Sequence, residues 1–414
     1  MRRFLIVGAS QAGLHLAHAL LDHDYDVTLI TSQTSDEIRR RKPPLIGVTV
    51  PRVLALERAR SLHFWSDRAP RLDGLTLSIG PDPRGPLTSF SGEFADGAAT
   101  AVDRRVKCAD WLEAFESRGG NVVIHGITLG DLDYFSRMYD QVIVAVGDGE
   151  LGTLFDPDPH RMPVTRSRVV TQVLFEEEGV SAPPRRAVSV TSRLGVYFES
   201  PMLTEQGTVR AVFVASRPGG PLDCSEESRR SARILEVFRT RVREYFPSVA
   251  DRVVHAEPMF GPAVTVQRIT PTVRVPVAVL PGGGLVLGVG DVLCTSDPVT
   301  ARVAAEETMC AERYVEAIRA HGHRPFDRDA LHAVFDHYYG TDGRTASEFT
   351  RTISQWWEHA PQEHVRSLVA AAGSSKAVAD WWVQSYDRPW VYNSLLRDPE
   401  AARALLTEAH LAHR

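Results

Sequence analysis

The chain has 414 residues, a formal net charge of −5, 43% hydrophobic residues and 24% charged residues. That length is more than one simple core requires, so two domains are expected, and the charge gives no electrostatic case for nucleic acid. No apolar run approaches the ~20 residues that span a bilayer. The four cysteines lack a C-x-x-C pair, which argues against disulfide staples and zinc and predicts a reducing cytoplasm.

In chain order, Phe4-Leu5-Ile6-Val7 is a short apolar run ending at Gly8, the pattern of a buried parallel strand. A helix over 11–22 and a strand over Val27–Thr31 complete one βαβ unit. The pattern breaks at Pro43-Pro44, and residues 72–102, rich in Gly, Pro, Ser and Asp, predict β-hairpins. Helical spacing returns at Trp111, Leu112 and Phe115 and stops at Gly119-Gly120. Val122–Ile124 and Gln141–Val146 are further strands, and 165–280 is mostly β. One amphipathic helix interrupts that region, with Ile234, Phe238 and Val242 on one face. Gly282-Gly283-Gly284 predicts a hairpin turn. Residues 299–320 and 326–414 are helical, and Trp356, Trp357, Trp381, Trp382 and Trp390 read as core or domain-interface packing.

The chemistry-bearing motifs lie at two places. Gly8-Ala9-Ser10-Gln11-Ala12-Gly13 follows the first strand, where glycines let backbone approach a pyrophosphate at a helix N-terminus. Ser10 stands where the middle glycine of G-x-G-x-x-G is usual, and Thr31-Ser32 where an acidic ribose partner is usual. Far downstream, Leu287-Gly288-Val289-Gly290-Asp291 precedes Asp297-Pro298. His321-Gly322-His323, ahead of Pro325, is a helix end, so no metal site is expected.

These motifs resemble the oxygenase subunits of the styrene and indole monooxygenase family. The resemblance rests on Val7–Leu16, Asp26–Leu29, Glu37-Ile38-Arg39, Ala55–Arg58, Ala101–Lys107, Phe115–Gly120, Leu287–Asp291 and Asp297-Pro298-Val299. It implies an α/β fold: a Rossmann-like FAD-binding domain over 1–45, 98–164 and 276–325. An inserted β-rich substrate domain would cover 46–97 and 165–275, and a helical C-terminal region 326–414. It further implies FAD, reduced by a separate flavin reductase, and a small apolar aromatic or alkenyl substrate that is epoxidised or hydroxylated. Gly8, Ser10, Gln11, Ala12 and Gly13 would hold the pyrophosphate, Arg105 would lie near the phosphates or ribitol, and Gly290 and Asp291 would take the ribitol hydroxyls, with Pro298 beside the ring. A homodimer is left open.

The chain departs from that family where backbone should meet the flavin ring. The family continues after Asp-Pro as Val/Ile-x-Gly-Gln-Gly-x-Asn, whereas this chain has Val299-Thr300-Ala301-Arg302-Val303-Ala304-Ala305. Lys42-Pro43-Pro44-Leu45-Ile46-Gly47 replaces a polar, flavin-facing stretch. With Ser10, three flavin contacts are altered, which predicts weakened, reshaped or abandoned binding. The rival is a flavin-free descendant running a cyclisation or isomerisation in the same cleft, where Glu306 or Glu307 would be the acid. A non-catalytic binder of hydrophobic ligands is a third reading. Asp148-Gly149, loosely similar to a single-component NAD(P)H hydroxylase fingerprint, supports a weaker fourth.

Overall fold

The computed structural model describes residues 1–147, 149–162, 166–177, 185–225, 231–356 and 359–411; Asp148 and Trp357 lie outside them. β1 (Arg3–Val7), α1 (Gln11–Leu21) and β2 (Asp26–Thr31) form the expected βαβ unit. β1 pairs in parallel with β2 on one side and with Gln141–Val144 on the other. Asn121–Ile124 and Leu285–Gly288 extend this sheet in parallel, and Val277–Val279 closes it antiparallel through the glycine-rich hairpin. Phe4, Leu5 and Ile6 are wholly buried, which is why β1 reads as a continuous apolar run rather than an alternating one.

A second, seven-stranded sheet has the order 264–269, 168–176, 207–216, 195–204, 186–191, 74–79, 88–93. It is antiparallel except where 186–191 runs parallel to 74–79. Its long central strands are almost entirely buried because both faces are covered. The Ser231–Tyr245 helix packs Phe238 and Val242 into a separate core with Val173, Tyr197 and Val212.

Helix Val303–His321 packs against α1 and against the short strand Val48–Thr49. It starts later than its apolar pattern suggests: Pro298–Thr300 is a single 3₁₀ turn, and Ala301 adopts φ +53°, ψ +29°. That left-handed residue breaks the helical path and lets Arg302 begin it anew.

The tail forms helices from Arg328 to Leu411. Helix Lys376–Asp387 lies on strand Thr88–Glu93, so closely that a Cβ on Gly92 would sit 2.3 Å from the Ala379 carbonyl oxygen. Trp356, Trp381 and Trp382 pack with Tyr392 as interior aromatics, whereas Trp390 is 44% exposed under the Arg52 guanidinium.

Candidate active site

A groove of about 950 Å3 runs from the end of β2, past the β1–α1 turn, to the Pro298–Val303 segment and the edge of the seven-stranded sheet. The turn is built for close approach. Gly8 has φ +111°, and a Cβ there would meet Val146 Cγ2 at 2.5 Å and the Ala145 carbonyl oxygen at 2.9 Å. Gly290, at φ +73°, presses equally hard: a Cβ would meet that of Ala12 at 2.6 Å. The downstream Gly-Asp motif is thereby brought onto the first turn of α1.

Two of the first-turn amides of α1, those of Ala12 and Gly13, are used internally. Ser10 is the N-cap, and its Oγ accepts from the Gly13 amide at 3.1 Å instead of projecting at a ligand. The Ala12 amide donates to Glu307 Oε2 at 3.2 Å, and Arg104 Nη1 donates to Glu307 Oε1 at 3.1 Å. Glu307 is 4% exposed, so this contact is well shielded. A carboxylate belonging to the protein thus sits where a helix N-terminus ordinarily receives an external anion. Gln11 turns its side chain inward, donating to the Ala304 carbonyl and to Thr308 Oγ1; it ties the two helices together.

The other sequence-predicted positions divide. Gly8, Ser10, Gln11, Asp291 and Pro298 line the groove. Arg105 is not among its lining residues: its guanidinium donates to Asp103 at 2.7 and 3.0 Å and to the Arg41 carbonyl at 3.1 Å. Arg104, one position earlier and about 100° around the helix, is the arginine of this helix that faces the groove. Ala12 and Gly13 act from beneath, through their amides and packing.

At the far end, Pro43–Ile46 forms one wall and is clamped to the seven-stranded sheet. Gln172, fully buried, donates to the Pro44 carbonyl and accepts from the Ile46 amide, and Thr265 Oγ1 donates to the Pro43 carbonyl. The Val48 amide donates to the Ala301 carbonyl, joining this wall to the opposite one. Phe213 lines the groove and stacks on Phe198 behind it, with ring centroids 5.2 Å apart. Gln172 was not legible as a site residue, since a lone polar residue in a strand carries no motif.

The two glutamates flagged in the sequence have different environments. Glu307 lines the groove; Glu306 does not, but Ser296, which does, donates its hydroxyl to Glu306 Oε2. Burial pushes the Glu306 carboxyl up to about 7, against the pull of Arg302, while Asp291, Glu307 and Asp297 push it the same way as burial. Asp297 pairs with buried Arg168 at 3.1 Å. No group of three or more metal-ligating side chains is assembled among the described residues. No helix among them is long and apolar enough to cross a membrane.

The groove fits a dinucleotide in its volume of about 950 Å3, in the positive-φ Gly8 turn that lines it, and in Asp291 along its wall. The misfit is local: Glu307 has to leave the Ala12 amide before a pyrophosphate can take it.

Comparison with known proteins places the chain beside flavin-dependent oxygenases in sequence and fold. Residues 147–252 match the family described as "Styrene monooxygenase A putative substrate binding domain". Styrene monooxygenase StyA of Pseudomonas fluorescens is 28% identical over 331 residues, covering 77% of this chain and 78% of that protein. Among solved structures, p-nitrophenol 4-monooxygenase PnpA of Pseudomonas putida DLL-E4 superposes with a TM-score of 0.62 at 15% identity, covering 97% of this chain and 99% of that one. CmlS, a flavin-dependent halogenase, gives 0.64 at 16% identity, covering 100% and 77%. At such identities the structural matches speak for fold alone. The chain is styrene monooxygenase-like: the resemblance carried by its glycine motifs holds over three quarters of its length, on the α/β fold of flavin-dependent monooxygenases and halogenases.

Proposed function

We propose that this protein is an FAD-dependent monooxygenase of the two-component kind, receiving reduced FAD from a separate flavin reductase in the cytoplasm. Its substrate is a small apolar aromatic or alkenyl molecule that it epoxidises or hydroxylates. The observation that carries this reading is the continuous groove joining the β1–α1 turn, the Gly290-Asp291 motif and the wall at Pro43–Ile46. The domain limits expected from the sequence are retained: 1–45, 98–164 and 276–325 for the cofactor, 46–97 and 165–275 for the substrate, 326–414 helical.

Reduced FAD, when bound, supplies the electrons and the activation of dioxygen. The chain supplies the rest. Gly8 and Gln11 line the stretch for the pyrophosphate, with Arg104 as a cation able to turn from Glu307 to phosphate. Asp291 offers its carboxylate to sugar or ribitol hydroxyls. Leu45, Ile46, Phe213 and Pro298 keep the opposite end apolar, which excludes water from the reacting atoms. Ala301 and Val303 replace glycine at the ring loop, so contact there is through methyl groups rather than bare backbone.

A flavin-free reading has one specific support, the Glu307–Ala12 contact, because a filled helix N-terminus does not need an external anion. Titration of the purified protein with FAD, and anaerobically with reduced FAD, separates the two. Saturable micromolar binding, tighter for the reduced form, followed by oxygenation of styrene or indole with an added reductase, is expected. No binding of either form would sink the oxygenase and leave the acid chemistry of the empty cleft.

A further inference from the structure

We infer that Ser296 and Glu306 form a proton conduit between the groove and solvent. The inference rests on the oxygenase reading for its reaction, but on geometry for its path. Ser296 lines the groove and hydrogen-bonds Glu306 Oε2. The other oxygen, Oε1, is buried without a hydrogen-bond partner and stands 3.9 Å from Arg302 Nε, beyond hydrogen-bond reach. Arg302 Nε and Nη1 are likewise buried without partners. Such groups are costly to leave unsatisfied and call for an explanation.

The explanation lies on the far side of Glu306. There, a cavity of about 20 Å3 is lined by Glu306, Arg302, Arg52, Asp342, Asp387 and Trp390. It has room for about one water, which the unpartnered atoms of Glu306 and Arg302 are chemically equipped to hold. Arg52 and Trp390, at 30% and 44% exposure, bring this cavity to the surface. A carboxyl therefore sits between a groove-lining hydroxyl and a solvent-linked cavity.

A monooxygenase reduces one atom of dioxygen to water, taking two electrons from the reduced flavin and two protons. One of those protons can follow this path. When Glu306 is protonated this hydrogen bond reverses, its carboxyl donating to Ser296 Oγ; the Ser296 hydroxyl, turned toward the groove, then gives its proton to a basic oxygen there and receives the proton of Glu306. The Glu306 carboxylate, briefly stabilised by Arg302, is reprotonated by the cavity water, which is restored from solvent. No electron moves and no bond other than O–H changes. The groups that set the protonation of Glu306 are Arg302, Asp291, Glu307 and Asp297, with Arg52, Asp342 and Asp387 across the cavity and Tyr338 and Cys294 nearby. Burial dominates, and a carboxyl held near neutrality suits proton transfer at cellular pH.

The test uses the full-length protein and two variants, Glu306→Gln and Ser296→Ala. Infrared difference spectra across pH 5–9 are expected to show a protonated carboxyl band that titrates near pH 7, is absent in Glu306→Gln, and shifts its midpoint in Ser296→Ala. In turnover with reduced FAD and styrene, both variants should lose about 10- to 100-fold in kcat below pH 7, where Glu306 carries its proton, and the gap should close above it. KM should be unchanged and the pH dependence flattened. If wild type turns over and both variants keep its pH profile, or if no band titrates, the conduit is overturned. If instead wild type never oxygenates, the oxygenase reading fails while the Ser296→Ala band shift still decides whether the two residues share a proton.

Discussion

Replacing Glu307 with alanine is expected to tighten FAD binding, the reverse of what removing a polar groove residue ordinarily does. In the present structure the carboxylate accepts from the Ala12 amide at 3.2 Å and from Arg104 at 3.1 Å. A pyrophosphate at the start of α1 would have to displace it from the amide and approach its charge. Two like charges about 5 Å apart repel by roughly 3 kcal/mol at an effective dielectric near 20. The helix N-terminus contact that the carboxylate gives up is worth about 0.3–1 kcal/mol, up to ~2 when partly buried. Part of this is offset because Arg104 is already neutralised in one state and pairs with phosphate in the other. A net gain of about 1.4–2.8 kcal/mol, or a 10- to 100-fold lower Kd, is the expected size. Glu307→Gln keeps an acceptor for the amide but loses the charge, so it should fall between wild type and alanine. Flavin-fluorescence titration and calorimetry with oxidised and reduced FAD measure all three. An unchanged or weaker Kd in Glu307→Ala, with a native circular dichroism spectrum, would refute the argument, since the carboxylate would then be a support for the site and not its competitor.

Three further outcomes follow from particular contacts. Glu57 and Lys107 are a fully buried pair, with Nζ 2.8 Å from Glu57 Oε1 and 3.0 Å from Thr49 Oγ1. Glu57→Ala strands the ammonium and should cost about 3–5 kcal/mol in urea unfolding; a loss under 1 kcal/mol would mean that water reaches the lysine. Burial would raise the Glu312 carboxyl, but hydrogen bonds from Arg60 and His15 outweigh it and hold the group at about 2. Its stabilising contribution is therefore complete above about pH 4.5 and lost as pH falls toward 2. Acid-induced unfolding of Glu312→Gln should lack that component of the wild-type slope, and an identical slope would show that the group contributes nothing. Finally, Ala301→Gly relieves a left-handed alanine, worth about 1–2 kcal/mol, while adding roughly 0.4–1 kcal/mol of unfolded-chain entropy. Thermal unfolding should therefore show a gain of between zero and about 1.6 kcal/mol, and a loss of more than about 1 kcal/mol would mean that the alanine methyl is a packing element.

Much of the frame is legible along the chain because its signals are local. A buried strand, a turn with a glycine at positive φ, and a helix with a capping serine lie within Arg3–Leu21, so β1 and α1 follow from spacing and residue type. The Gly282–Gly284 hairpin and the tail helices are local in the same sense, as are the Gly-Asp motif and its resemblance to the styrene monooxygenases. Helix phase was harder to judge. Asp103-x-Arg105 looks like a groove element by pattern, yet Asp103 captures the Arg105 guanidinium and leaves Arg104 facing the groove.

The state of the site depends on contacts that no local pattern contains. Glu307 meets Ala12 across 295 residues, Gln172 meets Pro44 across 128, and Arg302 and Glu306 face a cavity completed by Arg52 and Asp387. Residue type announces that a glutamate can carry a charge or a proton. Which of two adjacent glutamates meets a helix N-terminus, and which is buried behind a serine with its carboxyl pushed upward by burial, is decided by packing. Adjacent side chains on a helix diverge by about 100°, and here that rotation separates the groove from the interior.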